Sequence, residues 1–266
     1  MERKLILMGV GLMHKIVGLI PTRWASRRLP GKSLKMLGGI PVIIHTYRRA
    51  KLSKKLKDIY ICCDTKKVYN IAKKYNAKAI LTSKKHKCGT DRIAEALKKL
   101  KKKYDQIINI QGDEPLINPN NIDKVIKHHR SNKNFDIILP NLKTKFVSDP
   151  NVVRLIFNKK KEVIYITRSN TPNQFIKKTK YIFKHLSIVS FKPSALINYS
   201  NSKQGGLEKI EDIELLRAID IGLKIKTFSI LGNSFSIDVK QNLIDARKRI
   251  YQDKYYKIYS NEKLSN

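Results

Sequence analysis

The stretch KIVGLIPTRWASRRLPGKSL, Lys15 to Leu34, decides how the rest of the chain is read. It opens with an apolar run, Ile16 to Ile20, of the kind found in strands buried on both faces of a parallel sheet. The loop that follows, Pro21 to Leu34, holds four cations, Arg23, Arg27, Arg28 and Lys32, and a single glycine, Gly31. Open parallel sheets bind ligands beyond the carboxyl ends of their strands. Arginine clamps phosphate oxygens in pairs, lysine supplies a point charge, and glycine lets the backbone approach closely. A basic surface loop would account for the charges. It would not account for Pro-Gly-Lys directly after an apolar Leu29 at a strand's ligand end. The loop is neither a Walker loop nor a dinucleotide fingerprint.

Outward from this stretch, apolar runs alternate with lysine-rich amphipathic segments. Strands are expected at 15–20, 57–63, 78–82, 106–110 and 135–140, and helices at about 41–52, 66–75, 91–103 and 119–130. That alternation predicts an α/β fold, a Rossmann-like parallel sheet with right-handed crossovers. In the second half, two strands at 152–157 and 162–167 flank the charged turn NKKKE. A strand at 183–191, an amphipathic helix at 208–222, a strand at 224–231 and a helix at 240–251 follow. The expected organisation is one domain over 13–252, with a small inserted β-rich subdomain at about 150–195. Residues 1–12 read as an N-terminal extension and 253–266 as a basic C-terminal tail.

The formal net charge is +35, which raises the possibility of a nucleic-acid-binding module. The lysines are scattered and accompany an excess of Ile and Asn, so the charge reads as compositional drift, and no nucleic-acid partner is expected. It still attracts anionic substrates at long range. No apolar run is long enough to span a bilayer, and no cleavage region follows the basic, apolar start. Cys62, Cys63 and Cys88 give neither a disulfide framework nor a zinc site. A cytoplasmic protein with reduced thiols is expected.

Two further segments carry chemistry. IINIQGDEPLI, Ile107 to Ile117, ends an apolar strand on Gln-Gly-Asp-Glu-Pro. Asp113 there could hold Mg²⁺, which takes one or two carboxylates and fills its other positions with phosphates and water. Taken alone, the segment also reads as an ordinary turn. CGTDRIAEA, Cys88 to Ala96, opens a helix on which Thr90 or Asp91 could be the N-cap. Its exposed amides could accept an anion or a carbonyl oxygen.

With these segments in view, the chain resembles the 3-deoxy-manno-octulosonate cytidylyltransferases (CMP-Kdo synthetases) over roughly residues 14 to 250. R-x-x-S-x-R-L-P-G-K matches at Arg23, Ser26, Arg28, Leu29, Pro30, Gly31 and Lys32, and Q-G-D-E-P matches in full. The resemblance implies that Arg23 and Lys32 bind the triphosphate of CTP, with Ser26 and Arg28 in the same loop. It places Gln111 near the sugar or ribose and Asp113 on magnesium. Gly89, Thr90 and Arg92 match the S-G-T-[DE]-R segment that reads cytosine, with Cys88 in place of the serine; Asp64 matches a family aspartate. On the sugar side Arg154 replaces a lysine, and Arg168, His185, Glu208 and Glu211 fall on matching segments. Asp238, in FSIDVKQNL, is implied as the second metal ligand.

Departures gather on the sugar side. Gly206, Leu215, Val189 and Val239-Lys240 stand where the family has proline, glutamine, tyrosine and Thr-Pro, and the family's tryptophan after I-P is absent. The implied reaction joins CMP from CTP to an acidic 3-deoxy-2-ulosonic acid with release of pyrophosphate, for surface glycan synthesis. The resemblance also implies a homodimer. A nucleotidyltransferase acting on another acidic sugar stays open.

Overall fold

The computed structural model describes residues 14–26, 28–232 and 235–261. The expected N-terminal extension, Arg27 and the last five residues of the expected tail lie outside them. Strand β1 (Ile16–Thr22) leads through a 3-10 turn at Lys32–Leu34 into a small hairpin, β2 (Met36–Leu37) and β3 (Ile40–Pro41). Helix α1 (Val42–Lys51), β4 (Asp58–Cys63), α2 (Lys66–Lys74), β5 (Ala79–Leu81), α3 (Gly89–Leu100), β6 (Gln106–Ile110) and α4 (Pro119–Arg130) complete the first half. Then come β7 (Ile137–Lys145), β8 (Arg154–Phe157), β9 (Val163–Thr167), β10 (Tyr181–His185) and β11 (Ile188–Phe191). Helices α5 (Pro193–Asn201), α6 (Gly206–Glu211) and α7 (Leu215–Asp220), strand β12 (Ile225–Ser229), and helices α8 (Lys240–Ile250) and α9 (Lys254–Tyr259) follow.

One sheet of ten strands runs β5-β4-β1-β6-β11-β7-β10-β8-β9, with β12 also paired to β7. β1 lies parallel between β4 and β6, with Ile20 opposite Ile61 and Leu19 opposite Asn109. Alternate residues of β1 feed two cores. Ile16 and Ile20 join Ile43, Ile44, Ile61 and Ile126 on the face covered by α1, α2 and α4. Val17 and Leu19 join Ile93, Leu196 and Leu216 on the face covered by α3, α5 and α7. Burial on both faces is why the strand carries no polar alternation. Each such fully buried isoleucine or leucine contributes on the order of 1.5–3 kcal/mol relative to exposure.

The expected parallel core is present in β5, β4, β1 and β6, with one antiparallel strand set beside it. β7 does not pair with β6, because β11 lies between them and runs antiparallel to both. The single strand expected at 183–191 is two strands. β10 pairs with the far end of β7, His185 opposite Asn141, while β11 pairs with β6, Ile188 opposite Ile110. The break falls at Leu186–Ser187, where the Ser187 carbonyl accepts from Gln111 N at 3.1 Å and its hydroxyl donates to Glu114 at 2.9 Å. The helix expected at 208–222 is likewise two helices, separated by Asp212 in the left-handed conformation, φ 51°. The strands within 150–195 extend the same sheet rather than forming a layer of their own.

Two helices were not anticipated. α5 begins with Pro193 at a position where the missing amide costs nothing. α9 occupies the start of the expected basic tail, and its Tyr259 is 1% exposed against α1. No helix among the described residues is long and apolar enough to cross a membrane.

Candidate active site

The loop after β1 is shaped from behind. Trp24 N donates to Asp64 Oδ1 at 2.9 Å, and Asp64 sits 3.7 Å from the Arg92 guanidinium. Gly31 adopts φ 64°, and a β-carbon there would meet the Trp24 ring at 3.1 Å. Only glycine fits that conformation against that ring. The Ser26 hydroxyl accepts from Leu29 N at 3.4 Å. Arg23 and Arg28 project from the loop, exposed.

Asp113 reaches this loop because Gly112 stands in the turn just beyond β6. A β-carbon at Gly112 would lie 2.8 Å from both the Pro21 carbonyl oxygen and Ile43 Cδ1. Without a side chain, the Gln-Gly-Asp turn packs against the end of β1. Lys32 Nζ then donates to Asp113 Oδ2 at 2.7 Å. It also donates to Asp238 Oδ1 at 3.2 Å. Arg28 binds the same Asp238 oxygen at 3.0 Å and donates to Asn151 Oδ1 at 2.6 Å.

Asp238 is delivered by a residue whose role the sequence reading missed. Glu114 is buried, and its carboxylate accepts from Ser187 Oγ at 2.9 Å, Phe235 N at 3.2 Å and Ser236 Oγ at 2.7 Å. Ile237 N donates to the Asp113 carbonyl at 2.9 Å. These bonds draw the segment before α8 onto the Asp113 turn. Asn242 closes that helix start by accepting from the Asp238 and Val239 amides.

Two carboxylate oxygens thus converge on one ammonium. The described residues contain no cluster of three or more His, Cys, Asp or Glu able to hold a metal alone. A pair of aspartates beside a phosphate loop suits a hard divalent cation that takes its remaining ligands from phosphate and water. Lys32 Nζ marks where positive charge is favoured between them.

The base-side turn is capped by Cys88 rather than Thr90 or Asp91: its sulfur accepts from Asp91 N at 3.4 Å. Burial, then the Glu214 and Asp91 carboxylates, push the Cys88 thiol well above its ordinary value. Thr90 N donates to Glu214 Oε2 at 3.0 Å, and Gln111 Nε2 donates to Glu214 Oε1 at 3.4 Å. Glu214 therefore ties the base-side turn to the end of β6. Burial raises its pKa against the opposing hydrogen bonds.

On the remaining wall, Arg168 donates to the carbonyls of Glu211 at 2.9 Å, Pro150 at 3.1 Å and Asp212 at 3.3 Å. It caps the end of α6, where unpaired carbonyls need donors. The Glu211 carboxylate accepts from Thr167 Oγ1 at 2.6 Å, Arg168 N at 2.9 Å and Tyr165 Oη at 3.3 Å. Burial alone would raise the Glu211 pKa, yet these donors hold it below the usual carboxylate range. Glu208 is buried and paired with Arg217 through two bonds of 2.7 Å. Arg217 also grips Asp91 at 2.8 and 3.3 Å. His185 differs from all of these. Its Nε2 is buried without a hydrogen-bond partner, and burial, then Lys184 and Arg168, lower its pKa to about 4.

The cytidylyltransferase family profile matches residues 17–225. The chain belongs to the cytidylyltransferases. It is 38% identical over 234 residues to a 3-deoxy-manno-octulosonate cytidylyltransferase of Fusobacterium nucleatum, which covers 86% of this chain and 94% of that one. An 8-amino-3,8-dideoxy-manno-octulosonate cytidylyltransferase of Shewanella halifaxensis is 32% identical over 88% of this chain and 98% of its own. Among solved structures, a CMP:2-keto-3-deoxy-manno-octonic acid synthetase complexed with CTP superposes with a TM-score of 0.83. It shares 29% identity and covers 90% of this chain and 99% of that chain.

In this cytidylyltransferase the structure brings together Arg28, Lys32, Asp113 and Asp238, and sets Gly89, Thr90 and Gln111 around Glu214. Others are engaged with the protein itself. Arg92 is buried, donating to Thr82 Oγ1 at 2.8 Å and the Ser83 carbonyl at 3.1 Å. It acts on the nucleotide loop through Asp64 and Trp24. Glu208, Glu211 and Arg168 are engaged with the protein itself. Arg154, fully buried, donates to the carbonyls of Arg168 at 2.8 Å and Ser169 at 2.7 Å and so fixes the loop they begin. In the sequence Glu214 follows Glu211 by three residues, as Glu211 follows Glu208, with nothing local to distinguish it.

Proposed function

We propose that this chain transfers CMP from CTP to the anomeric hydroxyl of 3-deoxy-manno-octulosonate or a close ulosonic acid variant, releasing pyrophosphate. The convergence of Asp113 and Asp238 on Lys32 at the ligand end of the sheet carries the reading. Arg23, Arg28 and Lys32 bind the triphosphate, with Ser26 holding the loop's turn. Asp113 and Asp238 would hold Mg²⁺. The ion, when bound, neutralises phosphate charge and lowers the cost of bringing two anions together. Lys32 is then freed from the carboxylates to follow the charge that builds on the α- and β-phosphates. A bond forms from the anomeric oxygen to the α-phosphorus, the bond to the pyrophosphate oxygen breaks, and the hydroxyl proton leaves to solvent. Catalysis consists of placement and charge stabilisation.

The turn of Gly89 and Thr90, held by Glu214, forms the base side. Gln111 and His185 are offered to the acceptor, His185 through an imidazole kept neutral by burial. Val189 and Leu215, in place of tyrosine and glutamine, lie in one apolar cluster. An acceptor with a changed hydroxyl pattern, such as an 8-amino-8-deoxy sugar, is the favoured alternative. A pyrophosphate-release screen of CTP against several ulosonic acids, with ATP, GTP and UTP as controls, tests both points. Turnover with CTP and one ulosonic acid supports the reading; none with any sugar at millimolar concentration overturns it.

The enzyme is further proposed to work as a homodimer in a reducing cytoplasm. Phe175 and Ile176 are 91% and 95% exposed, and Ile164 faces outward from the edge strand β9. A second copy would cover such surface. Light scattering on the purified chain checks the stoichiometry.

A further inference from the structure

Helix α9 lies beyond the residues matched by the family profile, and none of its side chains reaches the Lys32–Asp113–Asp238 cluster. It nevertheless contacts what holds that cluster. We propose that Tyr259 is a positioning residue. Through a directed chain of hydrogen bonds across α1, it fixes the hairpin after Lys32 and the turn carrying Asp113 relative to each other.

The direction of the chain follows from its end. His45 Nε2 lies 2.6 Å from the Leu37 carbonyl. A carbonyl only accepts, so Nε2 carries the proton and Nδ1 of the neutral ring must accept. The group facing Nδ1 is Tyr259 Oη, at 2.9 Å, which therefore donates. Its oxygen is left to accept from Arg49 Nε at 3.3 Å. The same guanidinium donates through Nη1 to the Ile117 carbonyl at 3.0 Å, and its Nη2 pairs with Asp253 at the start of α9. Leu37 to Tyr259 to Ile117 is thus one continuous path, with a site loop at each end.

Neighbouring bonds reinforce both ends. Tyr256 Oη donates to the Gly38 carbonyl at 2.7 Å. Tyr255 Oη donates to Asn118 Oδ1 at 3.0 Å. Thr46, one residue from His45, donates to the Gly112 carbonyl at 3.2 Å. Arg48 donates to the Tyr259 carbonyl at 3.1 Å. Five residues bordering the catalytic loops, Leu37, Gly38, Gly112, Ile117 and Asn118, are therefore held by α1 and α9. Among the described residues, the Tyr259 hydroxyl is the side-chain group that joins the two branches across α1.

The catalytic part of this inference rests on the proposed transfer reaction; the structural part does not. The test uses full-length Tyr259→Phe, which keeps the ring and removes the hydroxyl. Ile258→Ala, at an exposed position of the same helix, is the control. Hydrogen exchange is read at the amides of 34–39 and 112–118, together with kcat and KM well below the melting temperature. Loss of one buried hydrogen bond is expected to speed exchange in both loops by roughly fivefold or more. It should lower kcat by about as much, with KM for the sugar unchanged and with Ile258→Ala like the parent. Faster exchange confined to 253–261, with kcat unaltered, would overturn the proposal and leave α9 a purely stabilising helix. Should the parent enzyme fail to turn over CTP, the transfer reading falls, while exchange in the two loops still decides the role of Tyr259.

Discussion

The two halves of the site use charge in opposite ways. Around the loop after β1, charged groups stand open or face one another: Arg23 and Arg28 are exposed, and Lys32 bridges Asp113 and Asp238. On the wall formed by β9 and α6 they face the protein. Arg168 caps α6, Glu211 locks the end of β9, and Glu208 shares Arg217 with Asp91. Matching a family segment at a charged residue therefore carries different weight in the two regions. His185 differs from these charged groups in that its buried Nε2 has no hydrogen-bond partner.

The largest break in that comparison should come from Asp113→Ala. Removing a carboxylate that organises transition-state charge is expected to cost at least about 1,000-fold in pyrophosphate release. The melting temperature should hardly change, because the residue is partly exposed. Near-normal turnover would remove Asp113 from the chemistry. Glu208→Ala should behave in the opposite manner. It leaves the buried Arg217 with Asp91 as its remaining carboxylate partner, and breaking a buried pair costs about 3–5 kcal/mol of stability. Denaturant unfolding measures that loss. If the variant instead keeps full stability and only raises the KM for sugar, Glu208 belongs to the pocket after all.

A subtler effect comes from His45, fully buried between α1 and α9 with a pKa lowered to about 4, first by burial and also by Arg49 and Arg48. Leu37, Ile40 and Tyr259 face the same ring, and none of them carries a charge. The unfolded chain takes up a proton near pH 6.5, whereas the fold resists it. The contribution of His45 is therefore fully present above pH 6.5 and is lost as pH falls toward 4. It amounts to about 3 kcal/mol at most. His185 titrates in the same direction, so the measurement is a difference. Unfolding free energy from pH 7 to 4.5 should fall less steeply in His45→Gln than in the parent.

Much of the fold was legible because its signals are local. The strand ending at Ile20, the cation-rich loop and the Gln-Gly-Asp-Glu-Pro turn announce themselves within a few residues, and the parallel core follows from their spacing. What was not legible depends on distant partners. Arg217 meets Asp91 across 126 residues, and no periodicity reveals such a pair. Glu114 stood inside a quoted motif, but its role depends on Ser187, Phe235 and Ser236 arriving from elsewhere. The antiparallel insertion of β11 turned on the break at Ser187, which no glycine or proline in FKHLSIVSF marks. KYYKIY at the end reads as basic, yet its tyrosines are what α1 receives.

The smallest predicted effect is the most discriminating for the sugar side. His185→Gln keeps a donor and an acceptor but displaces the buried nitrogen that lacks a partner. If that nitrogen meets the acceptor sugar, KM for the ulosonic acid should rise about tenfold, equivalent to about 1.4 kcal/mol, with KM for CTP unchanged. Arg168→Gln, by contrast, removes donors that α6 uses for its own carbonyls, so it should lower stability and disturb both substrates through the wall they share. Equal KM changes for the sugar in the two variants, without a difference in stability, would erase the distinction between a wall residue and a ligand-facing one. A selective change in His185→Gln alone would make an unpaired buried atom, rather than a charged one, the marker of the acceptor site.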